Sequence, residues 1–232
     1  MISNARELHA KAAKAREEEQ FHESLSFNDE ALFAYDSEGD ALGFAEGLGC
    51  RSITLRVYAN LHGSKRLLVL AKHEMTAAVQ IVRSANDPSA LPMPLFNLAC
   101  VLEDLGELDE AGEAYKEAVE NIETNPPAEH NKVSVKANMH VHMEVCLYKN
   151  GDESALLRAE ESLNALENSD ESDAYAKDVW VSGGYMRLAK ALIDKDAVKA
   201  RGYLAKAKQI IDANPTLTLR KKQWDQLSSL LA

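Results

Sequence analysis

The side chains of this sequence able to do chemistry are seven histidines, three cysteines and a few acid pairs. Their spacing argues against a catalytic or metal site. His140 and His142 stand two residues apart, which puts them on different sides of a helix and not in the i, i+4 geometry of a two-histidine metal face. They read as one surface histidine and one groove or core histidine. His9, His22, His62, His73 and His130 are scattered, with no recurring acidic neighbour. Ser182-Gly183-Gly184 lacks the strand–turn–helix setting of a nucleophile elbow and reads as a place of close helix packing. No glycine-rich phosphate-loop or dinucleotide signature occurs. Gly43, Gly47 and Gly49 sit inside a helical apolar pattern, where they permit close helix contacts. Glu103/Asp104 and Glu160/Glu161 have no apolar pocket to raise a carboxyl pKa and read as solvated faces. Cys50, Cys100 and Cys146 are isolated, without CxxC spacing, as reduced and mostly buried thiols are. No enzyme, no cofactor and no metal is expected.

The elements that would position these residues are helices. Ala (34), Leu (29) and Glu (23) dominate, while Gly (11) and Pro (6) are scarce, the balance of an all-helical chain. Proline ends helices because it lacks the N–H and clashes with the preceding turn. The six prolines cluster in three places, and three of the boundaries share a lead-in: Asn86-Asp87-Pro88, Asn125-Pro126 and Asn214-Pro215. Pro88 and Pro126 lie 38 residues apart, and Pro126 and Pro215 lie 89 apart, near one and two units of about 40, a period of stacked helical pairs.

The unit is plainest at 92–127. Leu95, Leu98, Ala99 and Leu102 recur at i, i+3, i+4, i+7 as one apolar stripe, and Gly106 suits the end of that helix. Ala111, Ala114/Tyr115, Ala118 and Val119 make a second stripe that stops before Asn125-Pro126-Pro127. Weaker copies are predicted at 133–167, from Met139, Met143 and Leu147 to Leu166, and at 174–213, from Val181, Leu188 and Leu192 to Ile211. Leu217, Leu219, Trp224, Leu227 and Leu230 predict an amphipathic tail helix, which an open repeat array needs as a cap. The approximate helix pairs are 5–36, 39–87, 92–125, 130–168 and 173–214, with a capping helix over 216–231, all within one helical-repeat domain spanning 1–232.

Residues 95–119, LFNLACVLEDLGELDEAGEAYKEAV, resemble a tetratricopeptide repeat almost position for position in their order of large and small residues. The resemblance implies an all-α, right-handed superhelical solenoid of antiparallel helix pairs with a concave peptide-binding face. It places Met93, Phe96, Asn97 and Cys100 on that face in the 92–127 unit, Asn138, Val141, His142 and Val145 in the next, and Tyr185, Met186 and Ala189 in the last. The alternative is that these residues pack against a neighbouring helix. Tetratricopeptide domains of the carboxylate-clamp kind hold a C-terminal carboxylate with Lys/Arg and Asn on successive first helices. Arg56, Asn60 and Asn97 fall on matching positions; Asn138 and His142 stand where that kind has Lys and Arg.

Charge narrows the partner. The 232 residues carry 26 Lys+Arg against 37 Asp+Glu, a formal net charge of −11, which disfavours nucleic acid and anionic membranes. No stretch reaches the ~18 apolar residues of a membrane helix, and residues 1–20 lack an apolar signal core, so a cytoplasmic location is expected. The charge is uneven: 91–131 hold ten acids and one Lys, whereas 177–232 hold eleven Lys/Arg and five acids. The reading is a non-enzymatic module that binds a peptide or helix of a partner protein, itself a monomer or weak homo-oligomer. The alternatives are a chaperone or assembly factor shielding a client segment, and a self-associating structural protein.

Overall fold

In the computed structural model, which describes residues 4–231, eleven α-helices follow one another with no strand among the described residues. The chain divides into two compact units, Met1–Pro127 and Ala128–Ala232. The first holds α1 (Asn4–Glu17), α2 (Phe21–Glu38), α3 (Ala41–His62), α4 (Lys65–Ala85), α5 (Pro92–Leu105) and α6 (Leu108–Thr124). The second holds α7 (Val133–Lys149), α8 (Ala155–Glu167), α9 (Ala174–Leu192), α10 (Ala197–Ala213) and α11 (Thr218–Ser228). Within each unit, helices consecutive in the chain pack antiparallel: α1 on α2, α3 on α4, α5 on α6, α7 on α8, α9 on α10.

Local chemistry sets the boundaries. Gly106 ends α5 at φ 82°, and its N–H and that of Glu107 return to the carbonyls of Glu103 and Leu102. This is a left-handed cap that a side chain would strain. Asp40, Asp173 and Asp196 cap α3, α9 and α10 by accepting from the N–H three residues on, which satisfies a donor the helix itself leaves orphaned. Pro92 opens α5, where a missing N–H costs nothing.

The first unit's core places Ala71, Met75, Ala78 and Val82 of α4 against Ala45 and Leu55 of α3 and Val101 of α5. Small residues set how closely the layers approach. A Cβ on Gly43 would lie 2.4 Å from the Tyr35 ring and one on Gly47 2.9 Å from Leu32, so these two glycines of α3 serve the contact with α2. In the second unit, Val141, Val145 and Tyr148 of α7, Leu163 and Leu166 of α8, and Leu188 and Leu192 of α9 share one core with Ala200, Leu204 and Ala207 of α10. The capping helix α11 lies on α9 and α10. Its Trp224 Nε1 donates to the Leu204 carbonyl at 2.9 Å and its Arg220 Nε to that of Val179 at 3.1 Å.

Candidate functional site

Along α5, Met93, Asn97, Cys100 and Asp104 recur at i, i+4, i+7 and i+11, one side of the helix. Arg56 and Asn60 stand one turn apart on α3, the first helix of the preceding pair, and reach that side. Asn60 Nδ2 donates to Asp104 Oδ2 at 2.7 Å, and Arg56 Nε lies 3.6 Å from the same oxygen. The Arg56 and Asp104 side chains retain 20% and 19% of their exposure, while Asn60 is exposed. Burial by itself disfavours the Arg56 charge, but the facing Cys100 and Asp104 outweigh it and raise its pKa, so the guanidinium is cationic throughout. Behind this row, the Tyr115 hydroxyl donates to Glu103 Oε2 at 2.9 Å and lies 3.2 Å from Cys100 Sγ. Burying a carboxylate and a phenol in this way is tolerable because each satisfies the other.

The structure separates the sequence-expected surface residues into two groups. Arg56, Asn60, Met93, Asn97, Asn138 and His142 retain exposure. Phe96, Cys100, Val141, Tyr185 and Met186 are buried and offer no open surface. Phe96 stacks at a tilt on Tyr115, with ring centroids 5.7 Å apart. Val141 is fully buried, close to Gly184 of α9. Tyr185 turns toward the second helices: its hydroxyl donates to Glu167 Oε2 at 2.8 Å, its ring stacks on Tyr203, and burial together with Glu167 pushes its pKa well above the usual tyrosine range. Val145 and Ala189 are buried as well. The cause is the same for α7 and α9. Each is packed by more than one other helix, so apolar residues off the main stripe meet another helix instead of solvent.

Two acid readings also change. Glu103 is buried and Asp104 mostly so, both engaged with side chains on other helices. Glu160 likewise holds Lys199 and the Tyr203 hydroxyl, both at 2.5 Å. The helical spacing of Asp104 from Met93, Asn97 and Cys100 was a usable signal for its place in the row. A further anchor, Glu171, carries no signal in its neighbourhood. Its carboxylate accepts from Ser134 Oγ at 2.7 Å, Lys132 Nζ at 3.1 Å and the Asp173 N–H at 3.1 Å, fastening the α8–α9 loop to the start of α7. The Ser134 hydroxyl, the Asp173 amide and Lys132 hold its pKa down to about 2.

Among the described residues no group of three or more His, Cys, Asp or Glu is placed to hold a metal ion. No helix among them is long and apolar enough to cross a membrane.

No protein-family model matches the sequence, and no curated protein is significantly similar to it. Solved structures do share its fold. One is a Podosopora anserina protein described as a kinesin light chain with nearly identical TPR-like repeats. The two superpose with a TM-score of 0.57 at 13% identity, over 96% of this chain and 98% of that one. A single-substitution variant of the same protein matches equally, with a TM-score of 0.57 and 13% identity over 94% and 96% of the two chains. At this identity the likeness is one of fold, and the fold is that of an all-α, tetratricopeptide-like repeat solenoid.

Proposed function

We propose that this chain is a non-enzymatic protein-interaction module of the cytoplasm. It holds a peptide or helix of a partner protein on the first-helix face of its repeats, with no cofactor, metal, nucleic acid or membrane. The observation that carries this reading is the polar row across α3 and α5. Arg56 and Asn60 present a guanidinium and an amide to a single internal carboxylate, that of Asp104, beside the partly exposed Met93 and Asn97. Chemically this is a place for an extended chain. Main-chain carbonyls or a carboxylate can compete with Asp104 for the two donors while an apolar side chain covers Met93. The helical-repeat fold supports the same reading, because such arrays present rows of side chains from successive repeats.

The test is partner capture from the native host by affinity purification and mass spectrometry, using Asn60→Ala combined with Asn97→Ala. Neither side chain is buried, so the helical signal should stay that of the wild type, and the melting temperature should fall by no more than the loss of the Asn60–Asp104 hydrogen bond. Phe96 is left intact, since its removal would open a cavity in the core. Recovery of the partner should fall about tenfold, the loss of roughly 1.4 kcal/mol of hydrogen bonding. An unchanged set of partners at unchanged recovery would place binding on another surface.

A further inference from the structure

The first unit carries a concavity that the reading above does not use. A cleft of about 560 Å³ opens between α4, α5 and α6. Leu98 is the partly exposed apolar residue of its floor, over the buried Val79, Leu95 and Leu102, and Glu110, Glu113, Glu117 and Glu120 stand along its α6 side. Two of these acids are already answered: Arg83 donates to Glu117 at 2.7 and 2.8 Å, and Lys116 to Glu113 at 2.8 Å. Glu110 and Glu120 are exposed. Helix α6 as a whole has six acids and one lysine, so an apolar slot lies beside a strongly negative wall.

The complementary surface is in the same sequence. From Ala197 to Leu231 there are seven Lys/Arg and two acids, a formal +5 against the −5 of α6. Lys206, Lys208, Lys221 and Lys222 are exposed there, Lys208 pairing with Asp212, and Val198 and Leu230 of the same segment are exposed, at 80% and 66%. Apolar residues flanked by cations are what an apolar floor with an acidic wall accepts. A second copy supplies this surface at the concentration of the chain itself.

We propose that the acidic cleft of α4–α6 receives the basic C-terminal end, α10–α11, of a second copy of this chain. The contact is heterologous, since different patches meet. Each pair therefore keeps one open cleft and one open basic end, and association continues head to tail. A contact of this size buries less than about 1,200 Å², the range of weak, transient complexes. Its electrostatic part is screened by salt.

Sedimentation velocity of the full chain tests this. At low salt the weight-average mass should rise with concentration above 25.5 kDa, and high salt should return it to the monomer. Glu113→Lys with Glu120→Lys should abolish the rise, and Lys206→Ala with Lys221→Ala, which removes charge without reversing it, should do the same. Mixing these two variants is the decisive arm. The first retains an intact basic end but no cleft for it, and the second retains the reverse, so together they should form a 1:1 complex that grows no further. A wild-type chain that stays monomeric at every concentration and salt overturns the proposal. So does a mixture that stays monomeric while the wild type associates, which would put the self-contact elsewhere. Binding of a synthetic Lys/Leu amphipathic peptide, lost in the cleft variant, by a chain that never self-associates would assign the cleft to another protein and likewise overturn it.

Discussion

Two glycines one helix apart do opposite things. Gly184 sits in the middle of α9, where an added Cβ would lie 2.6 Å from Leu163 Cδ1 and 3.6 Å from Val141 Cγ1. Leu163 is itself only 2% exposed and has nowhere to swing. Gly184→Ala should therefore destabilise by about 1–3 kcal/mol through overpacking, read as a lower melting temperature by circular dichroism. Gly202, inside α10, has nothing within 4 Å of its Cβ position. Gly202→Ala should stabilise by about 0.5–1 kcal/mol, because only the unfolded chain loses freedom. Equal shifts in the two variants would contradict this packing. At Glu171 the effect is one of pH. Its ordinary pKa of 4.5 falls to about 2 in the folded chain, so the folded state favours the ionised form. The stabilisation is then complete above the unfolded value and disappears as pH falls from about 5 to about 2. Glu171→Gln should melt below the wild type from pH 5 to 8, and the gap should close as the wild type is acidified through that window. A gap that persists at pH 2 would mean that the lost contacts are steric and not ionic.

At the scale of elements, helix placement follows from punctuation that is visible in the chain. The asparagine–proline boundaries, Gly106 and the capping aspartates act within a turn or two, so reading them requires no knowledge of neighbours. Which face of a helix stays open does require it. On α5, Met93 and Asn97 remain partly exposed, whereas Phe96 and Cys100 are buried. On α9, Tyr185, Met186 and Ala189 are all buried, because α7, α8, α10 and α11 all pack on that helix. The tail helix is part of the reason. Arg220 reaches back to the Val179 carbonyl and fits over Gly183, its Nη2 lying 3.3 Å from that residue's Cβ position. Ending the chain at Thr216 should expose apolar surface of α9 and α10 and lower the melting temperature by at least about 2–4 °C, the equivalent of roughly 1 kcal/mol. An unchanged melting curve would show that α11 adds nothing to the unit beneath it.

At the scale of the molecule, each of the two compact units has its own core. Arrays of helical pairs are held by contacts between neighbours, so a part that keeps its own neighbours keeps its fold. A chain of residues 1–127 should accordingly be helical and unfold cooperatively by circular dichroism. A non-cooperative, largely unstructured fragment would mean that the first unit depends on the second. The sequence by itself determined the all-helical class, the repeat of helix pairs and the amphipathic cap, because propensity, breakers and helical periodicity are short-range properties of the chain. It also determined the segregation of charge, acidic on α6 and basic from α10 onward. Only the tertiary structure decided which polar residues face one another: Asp104 between Arg56 and Asn60, Glu103 beneath Tyr115, Glu171 on Ser134. It alone separated open residues from buried ones, and it alone revealed the cleft beside α6. These depend on which helices meet and how closely, and that is set by long-range packing around small residues such as Gly43 and Gly184.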